Sequence, residues 1–103
     1  MPRIQYQWVR EFPFAPLAGH KHESHLVNTL FTVNLPVGCE SLLVQATVQN
    51  IRYTVDGTNP TASSGFVLIA GNDPLVIPID LQTTTLKFIS ETAGAILQMQ
   101  YGE

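Results

Sequence analysis

Few residues of this chain could carry chemistry, and the densest set is His20-Lys-His22-Glu-Ser-His25. Imidazole is a common metal ligand, and two histidines at i and i+2 on an extended chain project to the same side. His20, His22 and His25 are therefore the candidate metal residues. Glu23 is the only acid nearby, and no histidine follows His25. A metal bound here would sit between subunits on a symmetry axis sooner than inside one chain. The reading preferred is a polar, solvated loop leading into a strand, with no metal and no cofactor.

Catalytic groupings are weaker still. Serine, histidine and aspartate all occur, but without a nucleophile elbow or paired carboxylates. Asp56, followed by Gly57, reads as a turn residue that hydrogen-bonds its own backbone. Asp73 and Asp80 flank an apolar strand and read as turn and edge residues. Cys39 follows a Pro-x-Gly turn with no basic neighbour to lower its thiol pKa, so it is expected to be inert. No catalytic residue is assigned, and an enzyme is not expected.

The elements that hold these residues are strands. Ile4, Tyr6 and Trp8 alternate with Arg3, Gln5 and Gln7. Residues 10–24 carry Pro13, Pro16 and Gly19 and cannot sit inside a sheet or helix, so they form an extended arm or long loop. Its Phe12, Phe14 and Leu17 are too apolar for a free linker. With Trp8 they are the candidate interface residues. A strand over His25–Leu35 places Val27, Phe31, Val33 and Leu35 on one face, and Pro36-Val-Gly38 turns the chain. In Ser41–Gln49 the apolar face is Leu42, Val44, Ala46 and Val48. The parity then flips to Ile51, Tyr53 and Val55, which requires a bulge, a tight turn or a crossing between sheets near Gln49-Asn50. Further strands are expected at Phe66–Ala70, Leu75–Leu81, Thr84–Ser90 and Ala95–Tyr101. Pro78 confines its strand to an edge or a bulge. About eight short strands predict a single all-β domain over residues 1–103, an antiparallel β-sandwich with a jelly roll as the leading topology.

Composition narrows the partners. Charged residues make up 13% of the 103, roughly half the usual share, which suggests a surface partly covered by a partner. A net charge of −3, with basic residues scattered, argues against nucleic acid. One cysteine allows no intrachain disulfide, and no window is long and apolar enough for a signal peptide or a membrane-spanning helix. The expectation is a soluble protein folded in a reducing cytoplasm, with no membrane partner.

The run Ile51-Arg-Tyr-Thr-Val-Asp-Gly-Thr-Asn-Pro-Thr resembles two families. From Ile51 to about Ser64 it is similar to the short β-sandwich module at the ends of chitobiases and related glycan-degrading enzymes. Over residues 50–101, through RYTVDGTNPTASSGF, LIAG at Leu68–Gly71 and LKFIS at Leu86–Ser90, the chain resembles small tailed-phage virion proteins. The H-x-H spacing is similar to the metal motif of cupins, although the acid and the distant histidine of that motif are missing. The phage resemblance implies a capsid decoration (cement) protein: it would bind the major capsid protein as a homo-oligomer, dimer or trimer, on the virion surface after synthesis in the host cytoplasm. A tail, neck or fibre component is the nearest alternative. A carbohydrate-binding sandwich using Trp8, Tyr6 and Tyr53 is a further one.

Overall fold

The computed structural model describes residues 14–103. Within them the chain forms eight strands: β1 (Glu23–Leu26), β2 (Phe31–Thr32), β3 (Ser41–Thr47), β4 (Ile51–Thr54), β5 (Phe66–Leu68), β6 (Leu75–Pro78), β7 (Lys87–Ser90) and β8 (Ile96–Gly102). They make two four-stranded antiparallel sheets, ordered β1-β8-β3-β6 and β2-β7-β4-β5. First pairs with last, second with seventh, third with sixth and fourth with fifth. That nesting is a long hairpin folded over on itself, which is the jelly-roll topology. Every connection crosses between sheets except β4–β5, so the loop after Ile51–Thr54 is the tip of the folded hairpin.

Alternation puts one face of each sheet inward. Leu42, Val44 and Ala46 of β3 lie opposite Tyr101, Met99 and Leu97 of β8. They meet Ile51 and Phe88 of the other sheet in a core that also holds Val27, Cys39 and Leu86. Phe88, Leu42, Ile51, Leu86 and Leu97 are completely buried, each worth roughly 1.5–3 kcal/mol relative to exposure.

The parity flip after β3 is a sheet crossing. Val48 has φ of 75° and the Gln49 amide donates to the Thr47 carbonyl at 2.9 Å, a γ-turn of the rare left-handed kind. Pro78 ends β6, which lies at the edge of its sheet, where its missing N–H leaves no ladder bond unmade.

Four expectations are corrected. His25–Leu35 is not one strand: β1 stops at Leu26 and β2, in the other sheet, starts at Phe31. The corner is held by the Val27 amide donating to the Ala95 carbonyl (2.9 Å) and by the Gly94 amide donating to Asn28 Oδ1 (2.8 Å). Val27 and Val33 both stay in the core, so the apolar parity runs unbroken through it. The strand expected over Leu75–Leu81 stops at Pro78, and Asp80 instead builds a turn, its Oδ1 accepting from the Gln82 amide at 2.9 Å. The strand expected from Thr84 starts at Lys87, and that expected over Phe66–Ala70 ends at Leu68. The Ile4–Trp8 strand, Phe12 and Trp8 lie outside the described residues.

Candidate functional site

The β4–β5 loop, which contains the most distinctive motif in the sequence, is a braced structure. Asp56 Oδ1 accepts from the Thr58 amide at 3.0 Å, and Gly57 has φ of 89°. The Asp56 carboxyl is held below the ordinary aspartate range, first by the Thr58 amide and then by the Thr58 hydroxyl. The Thr54 hydroxyl donates to the Thr58 carbonyl, and Thr61 and Ser64 exchange backbone bonds at 3.0 and 3.2 Å. Arg52 reaches from β4 to the Gly65 carbonyl at 3.1 Å while its Nε donates to Glu91 at 2.6 Å. Glu91 also accepts from Asn50, and these bonds hold its carboxyl below the ordinary glutamate range. Lys87 donates to Asn59 at 2.8 Å. The charged groups on this face of the second sheet thus tie the loop to β4, β7 and the segment after β7. Asp56 supports its own turn.

The three candidate histidines are separated by the fold. His20 stands edge-on to Tyr101, ring centroids 5.5 Å apart. His25 faces inward from β1, pairs with Glu23 at 2.7 Å and lies against Phe31, 4.6 Å between centroids. His22 opens onto the outer surface of the first sheet. Among the described residues no group of three or more histidine, cysteine, aspartate or glutamate side chains is placed to hold a metal ion. Cys39 is buried, its thiol donating to the Ser41 carbonyl at 3.2 Å, and burial pushes its pKa up.

Phe14 and Leu17, interface candidates by sequence, are engaged by their own chain. Leu17 packs on the core, and its amide donates to the Tyr101 carbonyl at 2.9 Å. The half-buried Phe14 ring lies against Gly102, where a Cβ would overlap both that ring and the Ser41 hydroxyl. The Ser41 hydroxyl is buried with no hydrogen-bond partner among the described residues. Tyr53 lies on the inner side of β4, stacked on Phe88 with centroids 5.9 Å apart, and burial raises its phenol pKa.

The outer face of the first sheet is different in kind. Register sets Leu26, Ile96 and Thr47 in one row, Ser24, Gln98 and Gln45 in the next, and Gln100, Leu43 and Val76 in a third. No side chain in these rows is charged. A shallow groove of about 360 Å³ runs across them, bordered by His22 and Pro74. Gln45 and Gln100 are held in place by bonds from their amide nitrogens to the Asn72 and His20 carbonyls (2.9 and 3.0 Å). Gln45 and Thr47 alternate with the apolar residues of β3, but only the β1-β8-β3-β6 register joins them to Gln98, Gln100 and His22.

The model of the chitobiase/beta-hexosaminidase C-terminal domain matches residues 40–97, more than half of the chain, from the approach to β3 into the start of β8. The chain belongs to this family. The chitobiase-type match includes the braced loop and both strands beside it, extending the likeness well beyond Ile51–Ser64. No curated protein and no solved structure matches the chain.

Proposed function

We propose that this chitobiase-type sandwich is a non-catalytic structural protein of a phage virion, in its simplest form a capsid decoration protein that binds the major capsid protein lattice. The observation that carries the reading is the uncharged, amide-and-aliphatic outer face of the first sheet. Such a face seats on a protein lattice without the cost of desolvating charges. The resemblance of RYTVDGTNPTASSGF, LIAG and LKFIS to small virion proteins supplies the setting. Adhesion is the whole mechanism: the groove rows and the sheet edges lie across joints between capsid subunits, and homo-oligomers multiply each weak contact.

The copy number of this chain in purified particles tests the reading. Hundreds of copies per head agree with decoration; a dozen or fewer would transfer the chain to a neck or tail; none would end the virion proposal.

A second reading follows from the family, whose domains are named for the C-terminal ends of chitobiases and beta-hexosaminidases. A groove lined by Gln45, Gln98, Gln100 and His22 offers amide donors and acceptors to a neutral glycan. Glycan-array binding that is lost in a Gln98→Ala/Gln100→Ala variant would favour this reading over the lattice one.

A further inference from the structure

The side of the sandwich bounded by β5 and β6 is open. Both strands are outermost in their sheets, so among the described residues each leaves one row of backbone groups unpaired. Between them lies an apolar cleft of about 310 Å³, lined by Tyr53, Val55, Phe66, Leu75, Ile77 and Pro78. Leu75 stands opposite Val44, which is buried, yet remains 39% exposed, and Phe66 is 63% exposed. The inner faces of the two sheets run out here, and none of the described residues lies over them.

The same chain carries a matching segment. Residues 3–12 read RIQYQWVREF, with Ile4, Tyr6 and Trp8 alternating with Arg3, Gln5 and Gln7. One apolar row facing a cleft, with backbone groups beside an open edge, is the pattern of strand addition. The described chain shows where this segment starts. Pro16 bridges Gly102 on the side of β8 away from β3, the Glu103 amide donates to the Ala15 carbonyl at 3.0 Å, and the Leu17 amide donates to Tyr101. Traced back toward Phe14, the chain therefore runs the way Glu103 points, off the end of the first sheet and on its β1 side. The cleft is at the opposite edge, past β8, β3 and β6, roughly 14 Å away at about 4.8 Å per strand. Prolines at 13 and 16 favour an extended backbone at Phe12 and Ala15, which opposes a reversal toward that edge. A segment leaving at one edge and an acceptor at the other fit two molecules better than one. Residues 1–13 extended reach up to about 43 Å, enough to bridge to a neighbour, and an arm folded back over its own cleft would instead leave the wild type monomeric.

We propose that the β5–β6 cleft receives residues 3–12 of a second copy of this chain, so that self-association proceeds by exchange of this arm. The inference rests on the self-associating part of the function proposed above and not on its capsid setting.

Trp8 is the only tryptophan, so its emission reports directly on the arm. Two full-length variants separate donor from acceptor. Tyr6→Glu/Trp8→Glu spoils the arm, and Phe66→Glu/Leu75→Glu spoils the cleft at positions exposed enough to take a charge. Circular dichroism and thermal melting establish that each is folded, and Phe66→Glu alone serves if the double cleft variant is not. Sedimentation should show the wild type associating, with Trp8 emission moving to the red on dilution. Each variant alone should associate at least tenfold more weakly. Mixed, they should form a 1:1 dimer through the one intact arm–cleft joint, with Trp8 of the cleft variant moving back to the blue. A wild type that is monomeric at all concentrations, association indifferent to both variants, or no recovery on mixing would overturn the proposal. Wild type that exchanges arms yet fails to bind particles lacking this protein would sink the virion reading alone. Monomeric wild type that binds them would do the reverse.

Discussion

The β4–β5 loop contains two glycines with positive φ, and the structure predicts that they are unequal. Gly57 has φ of 89°, and a Cβ there would meet only Thr85 side-chain atoms at 3.7 and 3.8 Å, ordinary contact distances. Gly57→Ala therefore costs the left-handed conformation alone, about 1–2 kcal/mol. Part of that is offset, by roughly 0.5–1 kcal/mol, because alanine restricts the unfolded chain. Gly65 has φ of 122°, and its Cβ would stand 3.0 Å from the Tyr53 carbonyl oxygen, 3.4 Å from the Tyr53 nitrogen and 3.3 Å from Pro60. The Tyr53 atoms are backbone of β4, paired to Phe66 and Phe88, and cannot retreat as a side chain would. A glycine-only conformation costs about 1–3 kcal/mol, and the forced contact adds about 1–3 kcal/mol. The expectation is a net loss near 1 kcal/mol for Gly57→Ala and of about 2–4 kcal/mol or more for Gly65→Ala. Urea denaturation followed by circular dichroism measures both, with the m-value held constant as evidence that only stability changed. At roughly 4–8 °C per kcal/mol the melting temperatures should separate clearly. Equal losses, or the larger loss at Gly57, would refute the claim that Gly65 seats the loop against β4.

Val48→Gly should be neutral or stabilising by up to about 1 kcal/mol, because it relieves a β-branched residue at φ 75° that is 66% exposed; a loss above that in urea titration would show the γ-turn needs the valine. Ser41→Ala should also be neutral or stabilising, since the hydroxyl is buried without a partner among the described residues, and a marked fall in melting temperature would reveal a bond to that hydroxyl. The Cys39 thiol should resist thiol reagents in the native protein and react at the rate of global opening, being buried with its pKa raised; fast native labelling would contradict the packing. Glu91 and Asp56 have folded-state pKa values below their unfolded ones, so their contribution is present above the ordinary carboxylate range and lost as pH falls through the lowered values. Glu91→Gln should therefore flatten the acid limb of a stability–pH profile, and an unchanged limb would remove Arg52–Glu91 from its causes.

How much of this was legible in the sequence depends on what each feature does to parity. The corner at Val48–Asn50 moves the apolar set from even to odd positions, so alternation announced a bulge, a tight turn or a crossing there, and the structure makes it a crossing through a γ-turn. The corner at Asn28–Leu30 keeps Val27, Phe31 and Val33 on odd positions, and pattern reading therefore ran β1 and β2 together. Pro78 revealed an edge because a missing N–H can be read from a letter. The braced loop was legible as a turn through Asp56-Gly57, but Gly65 looked like any other glycine until the Tyr53 backbone stood beside it.

The surfaces were the least legible part, for a related reason. Gln45, Gln98 and Gln100 are unremarkable where they occur, and they become a face only when β8 is inserted between β1 and β3. The histidines show the converse: close in sequence, they are pulled apart because β1 begins between His22 and His25 and gives its residues alternate sides. His25 is turned inward to Glu23 and Phe31, and His20 is left at Tyr101. The same winding that disperses the one cluster visible in the sequence assembles the uncharged face, and it sets Ala15–Leu17 and the β5–β6 cleft at opposite edges. Both proposals of function therefore depend on strand order, a property that no local motif in this chain encodes. Placing charge on that face, with Gln98→Lys and Gln45→Lys, should leave melting nearly unchanged while abolishing attachment to the partner lattice. Attachment that survived both substitutions would move the adhesive surface to the β5–β6 edge.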